Sequence, residues 1–545
     1  MGCGVTQWPD CKLILSVAWY SDLVPVNVLV DPGVVLKGTM AWATNITAMA
    51  WASMLWTSLP DFRTAFSRTS AVNLRSILND PSHGWSANTS VLFPESSDFE
   101  AATERWTAYS SPTYSAAIRP GTEADIVKTV QLARMHNIPF LTRGAGHGYS
   151  VTLAEFQDGV ALDLSLWKSI QIDAAAETLT IGPGVTINDV LDPLYEAGFQ
   201  IQTGTCSCPS LIGVTLGGGA GRYQGIHGLV LDALVSVRIV TAKSEVLEVS
   251  RDSHPDLFWA IRGAGANFGI VVSATYKVHR LVNGGQFLHA DFYFPAERSM
   301  DYFQLIEAYD EYLPANLATI VVINYNTSTN QVQIGGNWVY FGPEEQGLKL
   351  LAPILALNPT ASAVNMVPYN KILETTGGNY DRLVCQPSVT RDLYSLNQKK
   401  YSAVAWQQAF ERMSDFYTEH PAGRNSALVF EVFPNQATAA VADGETAYAW
   451  RDARGYIIAH FVYEEGDAET AAVGNKLGLE LRSQLALTSG YDEPSVFVNY
   501  ARGDEGLERI YGREKLGRLA ALKRIWDPEN MFRFGLGIPV DCENV

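Results

Sequence analysis

The sequence predicts an α+β protein with more than one domain. Between about residues 123 and 278, short apolar strands alternate with glycine-rich loops. From about Gly285 onward, strands with alternating apolar residues are separated by amphipathic helices. This second pattern indicates an antiparallel sheet with helices on one face. A chain of 545 residues also exceeds what one hydrophobic core usually supports.

The first part begins with a helix and a strand that lead into a glycine loop. Apolar residues at helical spacing predict a helix over Glu123 to His136, with Thr122 as its N-cap. The strand Ile138 to Leu141 then enters the loop Arg143-Gly-Ala-Gly-His-Gly148. Glycines let backbone N–H groups surround an anion, Arg143 adds a charge at the mouth, and His147 supplies an imidazole that a phosphate cradle does not need. A turn with an incidental histidine is the alternative.

Two further glycine clusters lie beside strands. They are Leu216-Gly-Gly-Gly-Ala-Gly-Arg222 and Gly263-Ala-Gly-Ala-Asn-Phe-Gly269, and neither fits the GxGxxG fingerprint or carries a Walker lysine. Three such loops indicate a large flat ligand that is contacted mainly by backbone, and a dinucleotide is favoured because pyrophosphate needs close main-chain approach. A β-rich domain with many tight turns also uses glycine freely, so that alternative stays open.

Charge and cysteine content narrow the classes of function. The formal net charge of -18 argues against nucleic acid or an anionic membrane surface as a partner. Six cysteines do not make a disulfide framework in so long a chain, and only Cys206 and Cys208 lie close together. No cysteine or histidine cluster has zinc spacing, so no metal site is predicted.

Residues 1–75 differ in character and have no clear role. The stretch from Gly38 to Pro60 is uncharged, but its Thr, Asn and Ser content makes it a weak transmembrane candidate. A signal peptide that starts at Met40 and a segment outside the folded core are both open alternatives. Asn-x-Ser/Thr sites at Asn45, Asn88 and Asn326 suit secretion, so a secretory, extracellular or vesicular location is favoured over the cytoplasm.

Six motifs stand in one order along the chain. They are Arg143-Gly-Ala-Gly-His147, Gly204-Thr-Cys206, Gly217-Gly-Gly219, Leu257-Phe-Trp-Ala-Ile-Arg-Gly263, Asn499-Tyr500 and Asp527-Pro-Glu-Asn-Met-Phe532. Their order and separations resemble the berberine-bridge-enzyme-like branch of the FAD-linked oxidases, in the vanillyl-alcohol-oxidase superfamily and of a fungal type. The resemblance implies a PCMH-type FAD-binding domain in two sequence-separated parts, 76–284 and 486–545. An inserted substrate domain, 285–485, would carry the antiparallel β-sheet covered by helices.

The resemblance also implies how FAD is held. His147 matches the histidine that bonds to the flavin 8α-methyl group, and Cys206 matches the cysteine that bonds to carbon 6. An imidazole and a thiolate are nucleophiles suited to this chemistry, although Cys206 as a buried small residue is the alternative. The other expected cofactor-binding residues are Arg143, Gly144, Ala145, Gly146, Gly148, Gly217, Gly218, Gly219, Gly269, Ile270, Val271 and Asn499.

Catalysis in this family is hydride transfer to the flavin, assisted by a base that removes a proton from O–H or N–H. Tyr500 is expected to be that base or a phenol that orients the substrate; packing against the cofactor is the alternative. The plant alkaloid members use a glutamate, but residues 436–442 contain no carboxylate, and Glu431 and Asp443 are the nearby candidates. Pro209 stands where the family tends to place an aliphatic residue thought to govern O2 access, which leaves a dehydrogenase with another acceptor open.

The leading interpretation is a monomeric FAD-linked oxidoreductase that dehydrogenates or oxidatively cyclises a small natural-product intermediate, with O2 as acceptor. The alternative is a carbohydrate oxidase acting at C1 of a sugar, for which Trp338, Tyr340 and Trp406 are candidate aromatic wall residues. A non-catalytic binding protein is a third reading, but it would need neither His147 nor Cys206.

Overall fold

The computed structural model describes residues 25–29, 35–39, 73–377 and 380–540. The chain forms two compact units, residues 1–72 and 73–545. In the first unit, β1 (Pro25–Leu29) and β2 (Val35–Thr39) form an antiparallel pair. Most of the uncharged stretch 38–60, with the expected signal-peptide start at Met40 and the site at Asn45, lies outside the described residues.

The second unit combines helices with three larger sheets. Its helices are α1 (Leu74–Leu78), α2 (Phe99–Thr103), α3 (Glu123–His136), α4 (Ile187–Glu196), α5 (Leu211–Gly217), α6 (Pro255–Ala264), α7 (Ser299–Glu307), α8 (Glu344–Leu355), α9 (Ile372–Thr375), α10 (Tyr380–Val384), α11 (Ala403–Glu419), α12 (Gln436–Ala440), α13 (Ala468–Ala486), α14 (Leu507–Tyr511) and α15 (Arg513–Trp526). Its strands are β3 (Ser90–Leu92), β4 (Tyr114–Arg119), β5 (Phe140–Arg143), β6 (Gly159–Asp163), β7 (Ile170–Asp173), β8 (Thr178–Ile181), β9 (Phe199–Gln200), β10 (Leu234–Val240), β11 (Val246–Ser250), β12 (Ile270–Lys277), β13 (His279–Arg280), β14 (Gln286–Pro295), β15 (Leu317–Asn326), β16 (Gln331–Tyr340), β17 (Ala361–Pro368), β18 (Arg391–Gln398), β19 (Ala427–Val432) and β20 (Gly455–Val462). The α+β fold class is therefore confirmed.

Two sheets build the part of the chain that carries the glycine loops. One has the order β3-β4-β6-β5, with β6 parallel to both β4 and β5. The other has the order β11-β10-β12-β8-β7 and is antiparallel throughout. The strand predicted at Ile138 to Leu141 begins two residues later, at Phe140, and ends directly before the first glycine loop. As predicted, Thr122 is the N-cap of α3, and its backbone N–H and its hydroxyl both donate to the Asp125 side chain in the first turn.

The third sheet has seven antiparallel strands in the order β17-β14-β16-β15-β19-β20-β18. Because side chains alternate across a strand, each strand sends one set of residues to each face. One set, including Trp338 and Phe430, packs in a single core with residues of α7, α8, α11 and α13. The other face lies open to a cavity. This arrangement confirms the predicted helix layer on one side of the sheet, whereas the predicted domain boundaries stay predictions.

The C-terminal segment returns to the glycine-loop part. Lys523 and Asp527, both completely buried, form an ion pair at 2.7 Å on α15 and the turn after it. Lys523 also donates hydrogen bonds to the backbone carbonyls of Asn267, in the third glycine cluster, and Phe532. The backbone N–H of Ile538 donates to the side-chain oxygen of Asn267. The return segment is thus fixed to the third glycine cluster by buried polar contacts.

In the part of the chain that the structure describes, no helix has both the length and the hydropathy of a membrane span. Within that same part, no group of three or more histidine, cysteine, aspartate or glutamate side chains is arranged to hold a metal ion.

Candidate functional site

A cavity of about 580 Å³ lies where the glycine loops meet the open face of the seven-stranded sheet. The sequence-derived site residues that line it are Arg143, Gly144, Ala145, Gly146, His147, Gly148, Cys206, Gly217, Gly219, Gly269, Ile270, Val271, Asn499 and Tyr500. Gly218, which the sequence also suggested, does not belong to this lining. Segments remote in sequence therefore meet at one cavity.

His147, in the first glycine loop, stacks against an aromatic residue from outside the loop. The Trp106 ring stacks on its imidazole with centroids 4.4 Å apart. The loop is fixed here because the Trp106 backbone N–H donates to the Gly146 carbonyl, and Gly146 itself has a left-handed φ of 70°. Burial, followed by the nearby charge of Arg391, lowers the pKa of His147 to about 3. The imidazole is therefore neutral and nucleophilic at physiological pH.

Cys206 and Cys208, which are close in the sequence, differ in their covalent state. Cys206 lines the cavity and is a free thiol, whereas Cys208 forms a disulfide with Cys385, 177 residues away. Burial, then the negative charges of Asp381 and Glu431, raises the pKa of the Cys206 thiol to about 12. The thiol is thus protonated in the protein alone. Sequence reasoning missed the disulfide, since Cys385 has no cysteine near it in the sequence.

The sequence suggested that Arg143 adds a free charge at the mouth of the loop, and the structure shows that this charge is paired. Its guanidinium is buried and donates to Asp163 at 2.8 Å and to the backbone carbonyl of Glu104 at 2.9 Å. Asp163 accepts a second charged bond from Arg119 at 2.8 Å. The arginine therefore lines the cavity with its charge already paired, and it ties the loop to the strand β6.

Asn499 packs directly against the second glycine cluster. Its side-chain N–H donates to the Val214 carbonyl at 3.0 Å. A Cβ at Gly217 would fall 2.2 Å from the Asn499 oxygen, so this approach requires glycine. The asparagine holds the return segment against the end of α5.

Glu431 and Tyr500 are hydrogen-bonded to each other in the cavity. The Tyr500 hydroxyl donates to one Glu431 oxygen at 3.0 Å, and the Thr205 hydroxyl donates to the other at 3.0 Å. Burial raises the pKa of Glu431 to about 7 and, together with the charge of Glu431, raises the pKa of Tyr500 well above its usual value of 10.0. Near neutral pH the carboxylate, not the phenol, is therefore the group that can accept a proton. Asp443, the other carboxylate that the sequence left open, is bonded to Lys515 and does not belong to the cavity lining.

The sheet provides a floor with a polar edge and an apolar centre. Asp291, Asn337, Ile320 and Glu431 lie opposite one another on β14, β16, β15 and β19, so they form one row on the cavity face. The next row places Gly335, Val322, Val429 and Ile458 side by side, and all four line the cavity. The body of a ligand on this floor would therefore contact aliphatic side chains.

The aromatic residues proposed for a sugar-binding wall do not face the cavity. Trp338, Tyr340 and Trp406 are buried in the core between the sheet and its helices. Asn337 and Trp338 are neighbours on β16, and alternation sends the first to the cavity and the second to the helices. The expectation that these three aromatics would line the site is therefore wrong.

Comparison with known proteins identifies the family of the chain. The family model for an FAD binding domain matches residues 114–250, and the model described as berberine and berberine like matches residues 496–539. The chain is 43% identical over 474 residues to the FAD-linked oxidoreductase fogF of Aspergillus ruber, covering 86% of this chain and 95% of that protein. It is 42% identical over 473 residues to the FAD-linked oxidoreductase srdI of Neurospora crassa, covering 87% and 94%. The chain belongs to the berberine-bridge-enzyme-like FAD-linked oxidoreductases.

Two solved structures share the fold of this berberine-bridge-enzyme-like oxidoreductase at lower identity. The Physcomitrella patens BBE-like 1 protein has a TM-score of 0.73 at 23% identity, covering 83% of this chain and 97% of that chain. The xylooligosaccharide oxidase from Myceliophthora thermophila has a TM-score of 0.71 at 21% identity, with the same coverage.

The residues of the oxidoreductase fit an FAD. Three glycine clusters, the neutral His147 and the thiol of Cys206 all border one cavity. The Tyr149 hydroxyl and the Asn499 oxygen are buried beside these loops without a hydrogen-bond partner in the described part of the chain. Such atoms need an added polar ligand or water. Sequence reasoning did not single out Tyr149, although its position two residues after His147 placed it in the same loop.

Proposed function

We propose that this oxidoreductase dehydrogenates, or closes a ring oxidatively in, a small natural-product intermediate with a flat apolar body. FAD, attached through His147 and Cys206, would accept the hydride, and O2 would be the final acceptor with H2O2 as product. The single observation that carries the proposal is the pair Glu431 and Tyr500, which lies beside an aliphatic floor in the cavity that both nucleophiles border.

Two residues of this chain are suited to hold the cofactor covalently. The imidazole of His147 keeps one ring nitrogen unprotonated, because its pKa of about 3 leaves the ring neutral. The Cys206 thiol must lose its proton before it can act as a nucleophile, since its pKa is raised to about 12. We therefore expect the histidine link to form more readily than the cysteine link.

The proton is expected to move to Glu431. A base is most effective when its pKa lies near the working pH, and Glu431 has a pKa of about 7. The hydroxyls of Thr205 and Tyr500 each donate to one carboxylate oxygen, which fixes the orientation of the carboxylate. Tyr500, with its raised pKa, holds its own proton and orients the substrate O–H or N–H.

The apolar floor favours a flat, weakly polar substrate over a sugar. Val322, Val429 and Ile458 offer aliphatic contact in the centre of the floor, and the aromatic candidates for sugar stacking face the helices instead. The relatives with more than 40% identity are fungal FAD-linked oxidoreductases, whereas the carbohydrate oxidases share the fold at lower identity. These observations support the natural-product reading over the carbohydrate oxidase.

Acid precipitation tests the cofactor chemistry. Wild-type protein should carry its yellow colour into the pellet, and the single variants His147→Ala and Cys206→Ala should each retain colour through the other link. Only the double variant should release flavin to the supernatant. His136→Ala is the matched control, because His136 lies in the last turn of α3, outside the cavity lining. Flavin released from wild type would refute covalent attachment.

Peroxide formation under air tests O2 as acceptor, and substrate-dependent flavin reduction without peroxide would indicate another acceptor.

A further inference from the structure

Two buried polar atoms on the sheet side of the cavity have no hydrogen-bond partner among the described residues. Among the described residues, four such atoms belong to cavity-lining side chains: Tyr149 Oη, Asn499 Oδ1, Arg222 Nε and His460 Nε2. The first two adjoin the glycine loops. Arg222 ends the second glycine cluster but bonds to Asn337 on the seven-stranded sheet, and His460 lies on β20 of that sheet; the two are 5% and 9% exposed. Buried polar groups are nearly always hydrogen-bonded, so each of these atoms marks a position where a ligand atom or water belongs.

Arg222 is the more informative of the two because it is a buried cation. Its Nη2 donates to the side-chain oxygen of Asn337 at 2.7 Å, and Asn337 donates in turn to Asp291 at 2.6 Å. The amide thus stands between the guanidinium and this aspartate. A buried cation usually has a directly bonded anion, because taking a charge out of water is costly. The Arg222 guanidinium is therefore oriented by the protein but keeps donor capacity toward the cavity.

The sheet register places this donor close to the reacting position. Asn337 and Glu431 lie in one row, separated only by Ile320 on the strand between them. Two strand spacings correspond to about 10 Å. Arg222 contacts Asn337 and also lies within electrostatic range of the Glu431 carboxyl group. A substrate group at Glu431 would therefore have the guanidinium beside it, over the same row.

The other unpartnered atom marks the far edge of the floor. His460 lies opposite Ala427, which lies opposite Asn324, and this row is two rows away from Glu431. Four residues along a strand span about 13 Å. The aliphatic row lies between these edges. The floor is thus longer than one six-membered ring and is polar at both edges.

We infer that Arg222 determines substrate specificity by binding a carbonyl oxygen that lies next to the hydroxyl group oxidised at Glu431. The substrate class is a planar conjugated compound that carries both groups on an apolar body. This inference rests on the proposed function, since it takes Glu431 as the reacting end. The guanidinium donates to the carbonyl oxygen, Glu431 takes the hydroxyl proton, and the FAD of the proposed function would accept the hydride from the carbinol carbon. Val322, Val429 and Ile458 contact the body.

A pair of planar alcohols tests this assignment in the protein as purified. The first is a hydroxymethylanthraquinone whose alcohol is next to a ring carbonyl, and the second is the hydroxymethylanthracene with the same substitution and no carbonyl. Isothermal titration calorimetry on the wild type should give at least about tenfold tighter binding of the anthraquinone, the range expected for one hydrogen bond to a charged group. Arg222→Gln should remove this preference, and Arg222→Lys should keep part of it.

Arg280→Gln is the matched control, because Arg280 is exposed and pairs with Glu177 away from the cavity. Equal affinity of the two alcohols for the wild type, failure of both to bind, or an unchanged preference in Arg222→Gln would each overturn the inference. If Arg222→Gln does not fold, Arg222→Lys alone does not decide the question, because it is expected to keep part of the preference. Asn337→Ala then tests the inference: it removes the amide that orients the guanidinium and must lower the preference. An unchanged preference in Asn337→Ala would overturn the inference. Acid precipitation of the same samples separates the two proposals: covalent flavin without carbonyl preference refutes only the inference, and carbonyl preference without flavin refutes only the proposed function.

Discussion

The substitution Glu431→Gln is expected to slow flavin reduction strongly while leaving the fold intact. The variant Glu431→Gln keeps the shape of the side chain and an oxygen acceptor for Thr205 or Tyr500, but it has no proton-accepting carboxylate. Removal of a general base typically slows a reaction roughly 100- to 10,000-fold. Anaerobic stopped-flow measurement of the loss of oxidised-flavin absorbance isolates this step from reoxidation.

The rate of flavin reduction should depend on pH through the ionisation of Glu431. The base acts in its ionised form, and burial places the pKa of Glu431 at about 7. The wild-type reduction rate should therefore fall about tenfold per pH unit below pH 7 and level off above it. In Glu431→Gln this slope should disappear. A slope centred near the ordinary glutamate value of 4.5 would contradict the assigned burial.

The same pKa shift predicts a change in stability. The rise from 4.5 to about 7 corresponds to about 3 kcal/mol. Because the folded-state pKa is raised, this stability is present below pH 4.5 and is lost as the pH rises through 7. The free energy of unfolding of the wild type should thus decline by about 3 kcal/mol more than that of Glu431→Gln between these limits.

A matched control separates this carboxylate from carboxylates in general. Glu529→Gln removes an exposed glutamate that pairs with Arg134, so neither its reduction rate nor its pH profile should differ from wild type. Wild-type reduction kinetics in Glu431→Gln, with the slope below pH 7 retained, would refute the assignment of Glu431 as the base.

Three further perturbations test the framework around the cavity. Serine at both Cys208 and Cys385 should lower the free energy of unfolding by about 5 kcal/mol in the chain-entropy description of a long loop, with the midpoint then insensitive to reductant. Asp163→Asn leaves the buried Arg143 and the partly buried Arg119 without their shared carboxylate and should cost about 3 to 5 kcal/mol in denaturant titrations; a loss below 1 kcal/mol would contradict the buried pairing. Gly217→Ala should displace Asn499 and destabilise the protein by about 1 to 3 kcal/mol, whereas Gly517→Ala, where nothing lies near the added methyl group, should not.

Local features of the site were predictable from the sequence, and distant pairings were not. The helix after Thr122 and the glycine loop with His147 depend on neighbouring residues, so capping and glycine patterns predict them. The contact of Tyr500 with Glu431 joins residues 69 apart and depends on the return path of the chain. Local patterns carry no information on that path.

The direction of side chains on the sheet was partly predictable. Polar and apolar residues alternate along β16, so the period of two already places Asn337 on the more polar face and Trp338 on the apolar face that the helices cover. Arg222 escaped notice for a different reason, because its role depends on Asn337, 115 residues away.

The return segment has a consequence for biosynthesis. The hydroxyl of Thr152, just after the first glycine loop, donates to the carbonyl of Gly535, 383 residues later in the chain. Asn267 and Lys523 are joined across a similarly long interval. The ribosome therefore releases nearly the whole polypeptide before the flavin pocket has all its walls. A nascent chain offers only fragments of the pocket, so loading with the cofactor follows translation, and nonsense mutations late in the reading frame should yield colourless protein.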